Sequence, residues 1–183
     1  MAFRTKDKLL SFFDQTYVAF TTALAGAVFL VHADCYCLLK SKPLTIMLGP
    51  DATTGVGIDL SRSINLLESD PHVPIAPMIR LCFMAAAISL YSATEAYCRS
   101  TDQLKLYREQ SWYHILRLTR NCLGHDMKWR IGERDKKHLP STWNGITLTA
   151  DLNDQDFSFR TVPPEKLMEL FAEVERFIRI TLE

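Results

Sequence analysis

An arginine, an amide and an imidazole fall within one short run, Arg120-Asn121-Cys122-Leu123-Gly124-His125. A guanidinium is always charged and can hold a phosphate or carboxylate through two parallel N–H donors. An imidazole with an unperturbed pKa of ~6.5 takes up or gives back a proton near neutral pH. A group that can stabilise negative charge thus stands close in sequence to one that can move protons. Asn121 can orient either of them. The candidate catalytic set is therefore Arg120, Asn121 and His125.

The spacing puts a condition on that chemistry. Asn121 and His125 are four apart, so their side chains share one helix face. Arg120 and His125 are five apart, about 140° around a regular helix. They converge only if the helix ends near Gly124, if the arginine curls round, or if a second chain completes the site. Gly124, four residues after Arg120, leaves open the space an arginine head would occupy and is a natural helix terminator.

Positive charge gathers around the same run. The formal net charge of the whole chain is zero, so nothing global argues for nucleic acid. Residues 105–137, however, carry nine basic and four acidic groups. Arg117, Lys128, Arg130, Arg134, Lys136 and Lys137 are the candidates for a binding surface there, with solvated loop charge as the plain alternative for the 128–137 run. His114, Arg117 and Asn121 lie at i, i+3 and i+7 on one polar helix face. Two acids are auxiliary candidates. Glu95 is placed to pair with Arg99 one turn on, and Asp126 adjoins His125, where it would raise the imidazole pKa or compete with an anionic ligand.

Other motifs exclude chemistry. His32, Asp34, Cys35 and Cys37 lack the second ligand pair of a structural zinc site, so no metal is expected. Gly49 to Gly57 lacks the Gly-Lys-Ser/Thr of a phosphate loop. Five cysteines without disulfide-framework spacing, and no signal peptide, place the chain in a reducing cytoplasm. The uncharged stretch Thr16–Val31 is shorter than the ~20 residues of a membrane span and reads as a buried helix, so no membrane partner is expected.

The elements that must hold these residues are helical. Leu10, Phe13, Tyr17, Phe20, Leu24, Val28 and Val31 recur at three- and four-residue steps and predict a first helix over about 4–31. Residues 34–74, punctuated by proline and glycine, read as a long connection with one short helix near 60–68. A third helix is predicted over about 75–99, and a fourth over about 103–123, with Trp112, Ile115, Leu116, Thr119, Cys122 and Leu123 facing inward. Within 128–162, Ile146-Thr147-Leu148-Thr149 and Phe157-Ser158-Phe159 alternate like the strands of a small inserted β-hairpin, which Trp129 and Trp143 would pin to the bundle. A last helix starts at Pro163-Pro164 and runs to the C-terminus. The expected fold is all-α: a single domain over 1–183, a bundle of four long helices and a short one, with a hairpin before the C-terminal helix.

With these elements in place, the chain resembles HEPN-superfamily domains. These are helical bundles marked by an arginine, usually a polar residue next, and a histidine after four to six intervening positions. Arg120, Asn121 and His125 match that pattern at the end of a bundle helix, and Glu95-Ala96-Tyr97-Cys98-Arg99 is similar to the Glu-x-Tyr-x-Arg pattern of a preceding HEPN helix. The resemblance covers about 75–183, and 1–74 in architecture alone. It implies an endoribonuclease of the prokaryotic toxin or antiphage kind that needs no metal or other cofactor. In such enzymes an RNA 2′-hydroxyl attacks the adjacent phosphate to leave a 2′,3′-cyclic phosphate and a free 5′-hydroxyl. It also implies a homodimer with both motifs facing one cleft, and an antitoxin or other regulatory protein partner. One position departs: Met127 stands where members modified by a nucleotide-transferring antitoxin carry tyrosine. The alternative is a non-catalytic helical module that binds RNA or a protein through the same basic surface.

Overall fold

The computed structural model describes residues 3–29, 37, 44–48, 54–58, 65, 69 and 75–183. These are mostly helical and form two compact units, one of residues 1–20 and 83–183, the other of residues 21–82. Helix α1 spans Lys6–Phe29, α2 Ile75–Ser100, α3 Leu104–Arg108, α4 Tyr113–Gly124, α5 Glu133–Lys136 and α6 Pro164–Ile180. Strands β1 (Leu44–Leu48) and β2 (Thr54–Ile58) pair antiparallel in the smaller unit, with Ile46 opposite Val56. That hairpin lies within the stretch expected to be a connection; its β-branched Thr45, Ile46, Thr54, Val56 and Ile58 suit a pleated strand. Of the short helix expected near 60–68, Asn65 is helical and the rest lies outside the described residues, as do His32, Asp34 and Cys35, while Cys37 is exposed.

In the larger unit two amphipathic helices carry the core. On α4 the whole expected inward stripe is buried, from Trp112 at its N-cap through Ile115, Leu116, Thr119 and Cys122 to Leu123. On α6 Leu167, Leu170, Phe171, Val174, Phe177 and Ile178 are buried, and Pro164 opens the helix where its missing N–H costs nothing. The stripe of α1 differs in phase from the expected one. Leu9, Phe13, Phe20 and Ala27 are buried, whereas Tyr17 is 53% exposed and Leu10 partly so. Apolar side chains lie on several faces of this helix, and the 9-13-20-27 series satisfies the same three-and-four spacing.

The helix expected over 103–123 is broken at residues 109–112 into α3 and α4. Burial gives the reason. Tyr107 and Trp112 are both buried, with ring centroids 5.7 Å apart, and both pack on Phe177, at 5.9 and 5.7 Å. Five residues apart in a continuous helix, the two rings would point about 140° away from each other. The break lets one pocket take both. Gln110 and Ser111 sit at the turn, and Gln110 Nε2 donates to the Leu106 carbonyl at 3.0 Å.

The hairpin before α6 is present, with a different pairing from the one expected. Strand β3 (Ser141–Trp143) pairs antiparallel with β4 (Ile146–Leu148), joined by Asn144-Gly145. Both turn residues have positive φ, 45° and 84°, the mirror-image turn that matches strand twist. Phe157-Ser158-Phe159 forms no strand. Phe157 instead donates its N–H to the Met127 carbonyl at 2.6 Å, and Trp129 donates to Gln155 at 2.9 Å. This short bridge fastens the segment that follows α4. Trp129 is 1% exposed and lies 6.0 Å from the Phe157 ring, so it anchors the segment around 157 rather than the paired strands; Trp143 is only partly covered.

Among the described residues, Pro77–Ser100 is the helix long and apolar enough to cross a membrane by length and composition. Its Ala86, Ala87, Leu90, Tyr91, Ala93 and Tyr97 are core residues of the larger unit.

Candidate active site

Helix α4 ends at Gly124, the first of the three conditions under which the spacing allowed Arg120 and His125 to converge. His125 is its C-cap with φ −130° and ψ 93°, and Asp126 and Met127 follow with φ of 58° and 56°. The 100° per residue of a helix therefore stops governing direction at the imidazole. Two consecutive non-glycine residues in the left-handed region are costly, on the order of 1 kcal/mol each or more. The Met127–Phe157 and Trp129–Gln155 backbone bonds, with buried Trp129, hold the chain through this reversal.

His125 is exposed, and among the described residues its side chain has no hydrogen-bond or ionic partner. Arg120 is differently placed. Its guanidinium carbon lies 5.5 Å from the centroid of Tyr91, an attractive cation–π arrangement, and Nη1 donates to Asn121 Oδ1 at 3.1 Å. Its Nε is buried with no acceptor among the described residues. Tyr91 in turn shares a 3.3 Å hydrogen bond with the Tyr113 hydroxyl, and burial, reinforced by that bond, pushes its phenol well above the ordinary range. Tyr91 is thus a neutral platform for the arginine. The structure joins Arg120 to Asn121, and His125 follows as the helix C-cap, but within one chain no hydrogen bond joins Arg120 or Asn121 to His125 among the described residues. Cys122, inside the motif, is buried, and burial pushes its thiol up to about 12, which leaves it inert as a nucleophile at neutral pH.

Gly124 does not serve the arginine. A Cβ at this position would meet Ile88 Cδ1 at 3.4 Å, an ordinary contact, and the Arg120 head lies over Tyr91 instead. Gly124→Ala is accordingly expected to be neutral or to stabilise by up to ~1 kcal/mol through helix propensity, read as a urea midpoint. A loss of more than that would mean the glycine is needed for a conformation not seen here.

The basic residues sort into two groups. Lys128 lies 3.8 Å from Asp156, Arg130 lies 2.6 Å from Asp154 and 3.8 Å from Asp126, and Lys136 pairs with Glu133. These are exposed pairs worth little to stability. Arg117 is ion-paired to Asp135, a buried carboxylate that also accepts the Gly132 N–H at 3.2 Å. Arg134 and Lys137 have no carboxylate partner among the described residues, and neither does Arg108, which the sequence reading did not single out. Glu95 pairs with Arg99 at 3.2 Å, the i, i+4 contact its spacing suggested. Among the described residues no group of three His, Cys, Asp or Glu side chains could hold a metal ion.

Compared with protein-family models, with curated proteins and with solved structures, the chain matches none.

Proposed function

We propose that the chain is a HEPN-type endoribonuclease that cleaves single-stranded RNA by transesterification and acts as a twofold dimer in a toxin or antiphage setting. What supports this reading is one observation: Arg120 and Asn121 are hydrogen-bonded to each other in the C-terminal half of α4, and an exposed, unengaged His125 follows as the helix C-cap. In the reaction the 2′-oxygen bonds to phosphorus as the P–O5′ bond breaks. The proton of the 2′-hydroxyl leaves to a base, and the 5′-oxygen takes up one. His125 moves these protons, Arg120 holds the phosphate oxygens, and Asn121 steadies the guanidinium. A second copy facing the first supplies the second imidazole, which lets one act as base and the other as acid. The reaction needs no metal, so cleavage is expected to proceed in EDTA and to leave 2′,3′-cyclic phosphate ends, resolved by mass spectrometry of a defined oligoribonucleotide. Products with 3′-hydroxyl ends, or activity abolished by EDTA, would rule this chemistry out.

A second reading rests on the engagement of Arg120 with Tyr91 and Asn121 rather than with His125. A non-catalytic module would bind RNA with the same salt dependence, turn none over, and bind equally well after His125→Ala.

A further inference from the structure

The N-terminal end of α4 carries a second cluster, roughly 16 Å along the helix axis from His125 by the 1.5 Å rise per residue. Here Arg108, His114, Arg117, Arg134, Lys137 and His138 line one open pocket of about 310 Å³. Tyr113 and the buried Asp135 complete its wall. The imidazoles of His114 and His138 are stacked, with centroids 4.0 Å apart and planes 21° from parallel.

The charge of this pocket is not balanced from within. Asp135 is the one acidic residue lining it, and it is spent on Arg117 and the Gly132 N–H. Arg108, Arg134 and Lys137 converge with no carboxylate partner among the described residues, while Lys136, beside Lys137, is paired outward to Glu133. Cations brought together from α3, from α5 and from the residue following it repel one another unless something anionic joins them. His114 adds a donor. Its Nδ1 is buried without a partner among the described residues, and a buried lone pair costs less than a buried N–H. The neutral ring therefore carries its proton on Nε2, and the protonated ring carries two.

We propose that this pocket, lined by none of Arg120, Asn121 and His125, is a phosphoryl-binding site in which Arg108, Arg134 and Lys137 neutralise the anion and the His114–His138 stack donates to it. Fork-shaped arginines flanking a flat imidazole pair fit a tetrahedral dianion. The shared chemistry is the phosphoryl group, which an RNA strand or a free phosphate or mononucleotide can supply. Protonation couples to binding. Burial first, then the neighbouring His138, Arg117 and Lys137 charges, hold His114 below the ordinary imidazole range, against the pull of Asp135. With Arg108 and Arg134 facing the same space, the His114 ring is neutral at pH 7 while the pocket is empty. A bound anion favours the imidazolium, so binding takes up protons and tightens as the pH falls.

The test is imidazole NMR and calorimetry on the full chain, titrated with sulfate, inorganic phosphate, adenosine 5′-monophosphate and a short oligoribonucleotide. Sulfate keeps its charge between pH 6 and pH 8. Its affinity is expected to rise several-fold from pH 8 to pH 6, with the His114 and His138 resonances moving and that of His125 still. Arg108→Gln with Arg134→Gln should weaken sulfate and phosphate about tenfold or more. His114→Gln should flatten the pH dependence while the fold, read by circular dichroism, is kept. Phosphate and mononucleotide acting at the same concentration as the oligoribonucleotide would assign a small anion; an oligoribonucleotide at least tenfold tighter, competed off by sulfate, would assign an RNA phosphate. Either supports the site. No movement of the two histidines, or affinities unchanged in the arginine double variant, would overturn it. Because neither arginine nor either histidine belongs to the Arg120 cluster, this outcome is independent of whether RNA is cut.

Discussion

His125→Ala protein is expected to cleave single-stranded RNA 10²- to 10⁴-fold more slowly than the parent, the usual worth of a general acid–base group. The position suits a clean test. The imidazole is exposed and makes no side-chain bond among the described residues, so its removal falls with surface substitutions that shift stability by ~0.5 kcal/mol or less. A slow variant with an unchanged melting curve therefore reports chemistry. Arg120→Ala is expected to lose a similar factor, with a stability loss of ~1 kcal/mol because the cation–π contact with Tyr91 goes too. Arg120→Lys retains charge without the two-pronged geometry and should recover only part of the rate. If the pair acts as a unit, the double variant will be about as slow as the slower single one. Cleavage at the parental rate in both single variants would remove this cluster from consideration, and salt-dependent RNA binding with no turnover in the parent would select the non-catalytic module.

The proposed dimer would have a specific task. In one chain the Arg120 guanidinium is committed to Tyr91 and Asn121, while His125 stands free beyond the helix end. A phosphate could draw on Nη2 and on the bond to Asn121 without dislodging the arginine from its platform. The proton-transfer groups, in contrast, number one imidazole per helix end. A twofold axis near the C-terminus of α4 would bring two together, and one substrate phosphate would then lie between two arginines. A mixed dimer, His125→Ala in one copy and Arg120→Ala in the other, distinguishes sites built within a chain from sites shared between chains.

The sequence made some of this legible and hid the rest for identifiable reasons. The inward stripe of α4 could be read because only one phase of the 3.6-residue period is apolar there, and the same holds for α6. On α1 several phases are apolar, and the one that is buried runs through Leu9 rather than Leu10 and Tyr17. The break before α4 is a tertiary effect: Glu109 and Gln110 are good helix formers, and it is the shared burial of Tyr107 and Trp112 against Phe177 that interrupts them. Asn144-Gly145 was a stronger hairpin signal than the alternation at Phe157-Ser158-Phe159, because turn chemistry fixes register while a three-residue alternation does not. The motif itself, with its helix end at Gly124, lies in consecutive residues and was visible. The platform under Arg120 was not, since Tyr91 is almost thirty residues away. Nor was the second pocket, where Arg108 and His138 meet across thirty residues. The local excess of positive charge over 105–137 pointed to the region; only folding decides that Lys128, Arg130 and Lys136 are paired while Arg108, Arg134 and Lys137 have no carboxylate partner among the described residues.

Trp129→Ala is the substitution expected to cost most in stability, ~3–5 kcal/mol by the range for aromatic truncations in a core. The ring is 1% exposed and packs on Phe157, which packs on Phe159, which reaches Phe83 at 5.6 Å, so the cavity would open inside a continuous aromatic chain. The same residue exchanges backbone bonds with Gln155 and Asp154, and these hold the left-handed pair Asp126-Met127 in place. Loss of the ring should therefore release the reversal after His125 before it unfolds the bundle, seen as faster amide exchange at Trp129 and Phe157 than along α6. Trp129→Phe separates packing from polarity. The indole Nε1 is buried with no acceptor among the described residues, so phenylalanine gives up ring area but also removes an unsatisfied donor worth ~1–3 kcal/mol. The two terms nearly offset, and the variant should lie within ~1.5 kcal/mol of the parent by urea denaturation. If Trp129→Ala cost less than ~1 kcal/mol, the segment after α4 would not be held by this anchor, and the geometry of His125 would have to be set by something other than its own chain.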